Sequence, residues 1–299
     1  MARSSMRLRT ISRVLLPGVV VASGVLVAAA PAAAAVPGLV RVSATSANNS
    51  NDFRSVTATC PAGKNLIGTG YQINGATGEA VVDNLLPNGS ATTAPTAVTV
   101  AAYEADSFAG NWSVTVYATC ADPIAGLVRV SASSASNSND FRSATATCPT
   151  GKTMVGTGYQ INGATGEATV DELRPNGSTT SAPTSVTVGV YEGDSFAGNW
   201  SVSAFAICAD PLSGLVRVST TGASNSNDFH SATATCPAGK RLTGTGFGTL
   251  GATGDAVADD LRPNGGTTSA PTAVTVGSYE GDAIAGNWRV TAYGICANA

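Results

Sequence analysis

Residues 112–120 decide the fold class, and they read WSVTVYATC. Trp, Val, Val, Ala and Cys alternate along this stretch with Ser, Thr, Tyr and Thr. A period of two predicts a β-strand with one apolar face and one largely polar face. The same pattern recurs at 200–208 and 288–296. The cysteine is in phase with the tryptophan, so we expect a core that contains both.

The strand belongs to a repeat of 88 residues. The hexapeptide GLVRVS begins at positions 38, 126 and 214, which divides the chain into module 1 (38–125), module 2 (126–213) and module 3 (214–299). No stretch of a module has sustained 3.6-residue periodicity, and turn sequences separate its other strand-like segments. In module 1 these segments are 39–43, 56–60, 66–73, 80–86 and 97–104.

The sequence therefore predicts an all-β protein with about six strands in each module. Two arrangements agree with this pattern. One is three tandem β-sandwich or barrel-like modules, and the favoured form is three separate beads. The alternative is a single pseudo-threefold β-prism in which each repeat supplies one face.

The six cysteines predict one disulfide in each module. Every pair is separated by 60 residues, and the repeat symmetry selects a single pairing among those that six cysteines allow. A zinc site is not expected, because the chain has no C-x-x-C motif and one histidine. The predicted bridges are Cys60–Cys120, Cys148–Cys208 and Cys236–Cys296.

The first 35 residues have the layout of a secretory signal peptide. Four arginines precede an apolar run that ends in small residues before Val36. The alternative is a membrane anchor, for which the run is barely long enough. Removal of the leader leaves 12 basic and 19 acidic residues, a net charge of −7. We therefore expect a secreted, extracellular protein that binds neither nucleic acid nor, after cleavage, a membrane.

Few residues suggest catalysis, and we predict that the protein is not an enzyme. The only histidine, His230, aligns with Arg54 and Arg142, which predicts a solvated side chain rather than a base. Residues 68–70, Gly-Thr-Gly, precede no helix, so they indicate close packing or a β-bulge rather than a phosphate loop. A further set of repeated acids lies in phase with strand valines and predicts half-buried structural carboxylates. These are Asp83, Asp171 and Asp259.

One repeated polar loop is the candidate ligand-binding site. It begins with Tyr-Glu-x-Asp at the end of a strand and returns through Gly-Asn to the tryptophan strand. Two carboxylates beside an amide can ligate calcium, the one candidate cofactor, or hydrogen-bond a sugar. The alternative is a hairpin loop with polar tips. The candidate residues are Tyr103, Glu104, Asp106 and Asn111, then Tyr191, Glu192, Asp194 and Asn199, and then Tyr279, Glu280, Asp282 and Asn287.

Two resemblances follow from the repeat. The run TATCPAGK at 57–64, GTGY at 68–71, Trp112 and YATCA at 117–121 resemble a repeat of secreted actinobacterial proteins. This resemblance implies an extracellular β-protein and supplies no catalytic residue. The segment GTGF at 244–247, followed by two aspartates at 259–260, is similar to the vitelline membrane outer layer β-prism proteins, whose repeats are shorter than 88 residues. That similarity implies a prism and carbohydrate binding.

Two functions fit the pattern. The first is a secreted, non-catalytic, multivalent binding protein for polysaccharide or cell-wall glycan, because three weak sites on one chain gain avidity. The alternative is a structural or adhesive extracellular protein whose Thr- and Ser-rich faces associate with each other.

Overall fold

Eighteen β-strands and no helices make up the described part of the protein. The computed structural model describes residues 35–105, 107–193 and 196–299, so the predicted leader lies outside it apart from Ala35. Module 1 contains β1 (Val40–Thr45), β2 (Phe53–Thr59), β3 (Asn65–Asn74), β4 (Ala80–Pro87), β5 (Ala97–Glu104) and β6 (Ser113–Ala121). Module 2 contains β7 (Val128–Ser133), β8 (Phe141–Thr147), β9 (Thr153–Asn162), β10 (Ala168–Pro175), β11 (Ser185–Glu192) and β12 (Ser201–Ala209). Module 3 contains β13 (Val216–Thr221), β14 (Phe229–Thr235), β15 (Lys240–Leu250), β16 (Ala256–Pro263), β17 (Ala273–Glu280) and β18 (Arg289–Asn298).

The strands form three six-stranded antiparallel sheets, and every sheet joins two modules. Sheet I has the order β1-β6-β3-β16-β17-β14, sheet II the order β2-β5-β4-β9-β12-β7, and sheet III the order β13-β18-β15-β10-β11-β8. Each module therefore supplies three strands to one sheet and three to the next. The predicted all-β class is confirmed. Of the two arrangements, the modules share sheets as in the pseudo-threefold alternative and are not three separate beads.

The core of each module lies between its two half-sheets. Cys60 follows β2 in sheet II and bonds to Cys120 on β6 in sheet I, so the bridge joins neighbouring sheets. Trp112 lies in the same core with none of its surface exposed. Modules 2 and 3 repeat this arrangement, so all three predicted disulfides are confirmed.

The polar face predicted for the tryptophan strand is not solvated, which corrects that expectation. Every residue of β6 is buried, including Thr115 and Thr119. The reason is that β6 is an inner strand, with β1 on one side and β3 on the other. Thr115 is also hydrogen-bonded to Thr45, Oγ1 to Oγ1, at 2.9 Å.

Three threonines from the predicted close-packing segments close the molecule around a pseudo-threefold axis. The Thr69 hydroxyl donates to the Thr157 carbonyl at 2.8 Å, Thr157 to Thr245 at 2.7 Å, and Thr245 back to Thr69 at 2.7 Å. This close approach requires a glycine before each threonine. A Cβ on Gly68, for example, would lie 1.9 Å from the Thr243 carbonyl oxygen. The close-packing prediction for these glycines is therefore confirmed.

The two ends of the described part of the chain complete the ring of modules. The Val36 amide donates to the Asn298 carbonyl at 3.0 Å, so the start of module 1 meets the end of module 3. Contacts group residues 35–105, 107–193 and 196–299 into one compact unit. Among the residues that the structure describes, no helix has the length and apolar composition to cross a bilayer.

Candidate ligand-binding site

The glutamates of the predicted loops contact their own module. In module 1 the Glu104 Oε1 accepts the Trp112 indole N–H at 2.8 Å, and its Oε2 accepts the Phe108 amide at 3.1 Å. Both carboxylate oxygens therefore have protein partners at the end of the core. Glu192 and Glu280 make the same pair of contacts.

This geometry predicts a stability cost that differs between modules. The Trp112 indole N–H has two acceptors, Glu104 and the Asn51 carbonyl, the latter at 3.1 Å. Among the described residues the Trp200 indole N–H has one acceptor, Glu192, at 2.6 Å. We expect Glu192→Ala to lower the free energy of unfolding by about 1–3 kcal/mol, because it leaves a buried indole donor unpaired. Glu104→Ala should cost less. Urea unfolding of the two variants measures the difference. Equal losses of unfolding free energy would contradict the claim that Glu192 is the more important acceptor for its tryptophan.

The three predicted loops meet at one end of the pseudo-threefold axis. Ala105, Gly193 and Gly281 line one cavity of about 50 Å³, together with the acidic residues Glu167, Asp255 and Asp282. Asp106 and Asp194 lie outside the described residues. The loops therefore share a water-sized space, where the sequence predicted three separate sites. Within 35–105, 107–193 and 196–299 no group of three His, Cys, Asp or Glu is placed to hold a metal ion.

The asparagines of the predicted site lie elsewhere. Asn111, Asn199 and Asn287 are exposed, and none of them lines the axial cavity. Their carbonyl oxygens instead pack against the turn after the third strand of each module, where Gly75 is an example with φ +103°. The structure therefore separates these amides from the loop acids.

The tyrosines of the predicted site form exposed aromatic pairs. Tyr103 stacks against Phe53, directly opposite it on β2, with ring centroids 4.7 Å apart. Phe53 is 45% exposed. The equivalent pairs are Phe141–Tyr191 at 4.6 Å and Phe229–Tyr279 at 4.5 Å, and both phenylalanines are similarly exposed. We call these three pairs the aromatic platforms; each sheet carries one.

A groove lies on sheet III beside one platform. It encloses about 370 Å³, and its lining includes Phe141, Tyr191, Glu172, Arg174 and Tyr293. Glu172 and Arg174 form an ion pair on the groove floor. This volume falls in the range of about 300–1,000 Å³ that is usual for small-ligand sites.

The repeated aspartates are more buried than the sequence predicted. Asp83, Asp171 and Asp259 are only 2–7% exposed, so they are not half-buried. Each accepts the amide of a glycine from another module, as Asp83 does from Gly166 at 3.2 Å. Burial raises the pKa of Asp83 to about 8 and that of Asp171 to about 7, because the one hydrogen bond does not replace water around the charge. Burial also raises the pKa of Asp259.

The prediction of a solvated His230 is wrong. Its side chain is 5% exposed, and its ring contacts Trp288 with centroids 4.2 Å apart. Arg54 takes the same place over Trp112, at 5.0 Å, and its Nε donates to the Trp112 carbonyl. The position points inward from the second strand of each module, and the indole face accepts a cation or an imidazole. These residues support the core.

Sequence reasoning missed the phenylalanines and the groove. Strand alternation was an available signal for Phe53, because Val56, Ala58 and Cys60 are in phase with the core and Phe53 therefore falls on the opposite face. The groove also had a signal, because module 3 has Gly248 where modules 1 and 2 have Gln72 and Gln160. The chain matches no protein-family model and no curated protein.

Proposed function

We propose that the protein is a secreted, non-catalytic, multivalent binding protein for polysaccharide or cell-wall glycan. The observation that carries this proposal is the repetition of an exposed aromatic platform on all three sheets. Phe53, Phe141 and Phe229 are 42–45% exposed, although the large aromatic residues of the core are fully buried.

The platforms suit a sugar for a chemical reason. One face of a pyranose ring presents C–H groups, which pack on an aromatic ring, while its hydroxyl groups need polar partners. Polar side chains occupy the adjacent strand on each sheet: Asn84 on sheet II, Glu172 on sheet III and Asp260 on sheet I. An aromatic face beside a polar side chain meets both requirements.

The shared sheets support multivalent binding. Because every sheet spans two modules, the platforms are held in fixed positions and pay little ordering entropy when they bind. Three weak sites on one rigid body can raise the overall affinity for a polymer by about 10²–10⁴. A polymeric glycan is therefore a better ligand than its monomer.

The remaining features agree with an extracellular binding role. Three disulfides indicate an oxidising compartment, and the N-terminal 35 residues supply the secretion signal in this proposal. The loop glutamates hydrogen-bond within their own modules, and the buried aspartates bridge modules. These carboxylates therefore support the fold in the proposal and perform no catalysis.

Retention on insoluble polysaccharides tests the proposal. A protein comprising residues 36–299 should be retained in a saturable manner on at least one of cellulose, chitin, insoluble α-glucan and bacterial cell wall. Binding at the aromatic platforms should be unchanged by a calcium chelator. Calcium-dependent retention would move the site to the acidic loops, and no retention on any of these surfaces would contradict the proposed function.

A second candidate function is self-association. The strands β2, β8 and β14 lie at sheet edges, and each carries one of the exposed phenylalanines. Edge strands with exposed apolar side chains are common sites of pairing between chains. Light scattering that rises with protein concentration would favour this function, whereas a monomer at high concentration would exclude it.

A further inference from the structure

The groove on sheet III owes its depth to two glycines that flank a glutamate in a row across three strands. Gly248 on β15 lies opposite Glu172 on β10, which lies opposite Gly189 on β11. A glutamate is therefore flanked on both sides by residues without side chains. This leaves the space of about 370 Å³ above the floor.

The same row is filled on the other two sheets. On sheet I it consists of Gln72, Asp260 and Gly277. The Gln72 side chain lies on this face, where its Oε1 accepts the Tyr117 hydroxyl at 2.8 Å. On sheet II the row is Gln160, Asn84 and Ala101. A glutamine thus occupies the position that Gly248 leaves empty.

A second difference makes the groove on sheet III more apolar. Leu250 lines it and is 47% exposed, whereas modules 1 and 2 have Asn74 and Asn162 at this position. The rings of Phe141 and Tyr191 line the same groove. Tyr293 on β18 and Phe141 on β8 are separated by four strand spacings, or about 19 Å. The groove is therefore long enough for a short chain of sugar rings.

The charges on the floor indicate an uncharged ligand. Glu172 and Arg174 pair with each other, so these two side chains offer hydrogen-bond donors and acceptors while their charges offset. An anionic or cationic ligand would have to break this pair, whereas hydroxyl groups can bond to both of its members.

We infer that the groove of sheet III is the principal binding site and takes a short, neutral segment of a glycan chain, with Gly248 as the residue that opens it. This inference rests on the proposed function. It makes the three platforms unequal: one lies beside a groove that seats sugar rings, and the other two add only surface contact to a polymer.

Isothermal titration with soluble tetrasaccharides of the cellulose, chitin and α-1,4-glucan series tests the inference. Residues 36–299 should bind one of them with one site per chain. Gly248→Gln should weaken this binding at least tenfold. The variant fits the fold, because a Cβ at this position would lie 3.7 Å from the Tyr293 ring and 3.9 Å from the nearest backbone oxygen, both ordinary contacts. Thr145→Ala, on the same face of β8, is the matched control and should bind as the parent does.

A reciprocal variant adds a gain of function. Sheet I already has Asp260, Arg262, Gly277 and a platform at the positions of the sheet III groove, so Gln72→Gly should open a second site. We expect the number of tetrasaccharides bound per chain to rise from one towards two.

Parent-like tetrasaccharide binding by Gly248→Gln, or a stoichiometry of one in Gln72→Gly, would overturn the inference. Retention on a polysaccharide without binding of any tetrasaccharide would also overturn it and would leave the proposed function standing. Failure of both assays would contradict the proposed function itself.

Discussion

The folded protein should become less stable as the pH rises from about 4 to about 8. The cause is the set of buried carboxyl groups Asp83, Asp171 and Asp259, whose pKa values burial raises. In the native state Asp83 holds its proton up to a pH near 8 and Asp171 up to a pH near 7, whereas in the unfolded chain both ionise near 3.8. Burial shifts the pKa of Asp259 in the same direction. Their contribution to stability is therefore complete below the unfolded pKa and is lost as the pH rises towards the folded pKa.

The magnitude follows from proton linkage. Each group that is protonated in the native state and ionised in the unfolded state lowers the free energy of unfolding by about 1.4 kcal/mol per pH unit. Asp83 alone then accounts for about 4 kcal/mol between pH 4 and pH 7. About 1 kcal/mol shifts the melting temperature of a unit this large by roughly 2–4 °C. The melting temperature should therefore fall by more than roughly 10 °C between pH 4 and pH 7.

Calorimetry of the parent and of Asp83→Asn between pH 4 and pH 8 checks this prediction. The asparagine keeps an acceptor for the Gly166 amide but does not titrate, so its melting temperature should fall less steeply with pH. Asp52→Asn, which changes an exposed acid, is the control and should follow the parent. A parent that becomes more stable from pH 4 to pH 7 would contradict the burial of protonated acids.

Removal of one disulfide should cost about 4 kcal/mol of unfolding free energy. Each bridge closes a loop of 60 residues in sequence separation, and the loss of chain entropy in the unfolded state has this size. We expect the double variant Cys148→Ala/Cys208→Ala to melt roughly 10 °C below the parent.

The shared sheets add a second expectation for this variant. Because sheets II and III both contain strands of module 2, the weakened module cannot unfold alone without exposing strands of its neighbours. Calorimetry should therefore show one cooperative transition at the lower temperature. A separate transition for one third of the molecule, or a loss below about 1 kcal/mol, would contradict the prediction.

Local features of the fold could be predicted from the sequence because they depend on nearby residues and on the repeat. The segment 97–104 predicted a strand that the structure places at Ala97–Glu104, and the period of 88 residues selected the disulfide pairs. Gly68 was identified as a close-packing residue. Alternation and turn residues act within one module, and the repeat symmetry is visible when the three copies are compared.

Features that depend on contacts between modules were not predictable in the same way. The seam between β3 and β16 has two opposed pairs, Gln72–Asp260 and Tyr71–Leu261, and neither has a local pattern that identifies a partner 188 to 190 residues away. For the same reason Asp83 was expected to be half-buried, because the glycine loop that covers it belongs to module 2. The error at His230 has a different cause, because His230 and Trp288 lie in the same module and only their packing shows that the His230 side chain points inward.

The candidate site was partly identified. The tyrosines Tyr103, Tyr191 and Tyr279 were singled out, but their phenylalanine partners lie about 50 residues earlier and meet them only through strand pairing. The loop glutamates were also singled out, and they bind the tryptophans instead of remaining free. A polar loop motif in sequence does not show which of its oxygens are already hydrogen-bonded.

The most direct test of the central claim is a comparison of binding isotherms on the polysaccharide that retains the protein. The triple variant Phe53→Ala/Phe141→Ala/Phe229→Ala removes one ring from each platform, and Thr57→Ala/Thr145→Ala/Thr233→Ala changes exposed residues on the same faces of the same strands. We predict at least a hundredfold loss of affinity for the phenylalanine variant, because all three contacts contribute to avidity, and a change below twofold for the threonine variant. Equal affinities for the two variants would contradict the claim that the aromatic platforms bind the glycan.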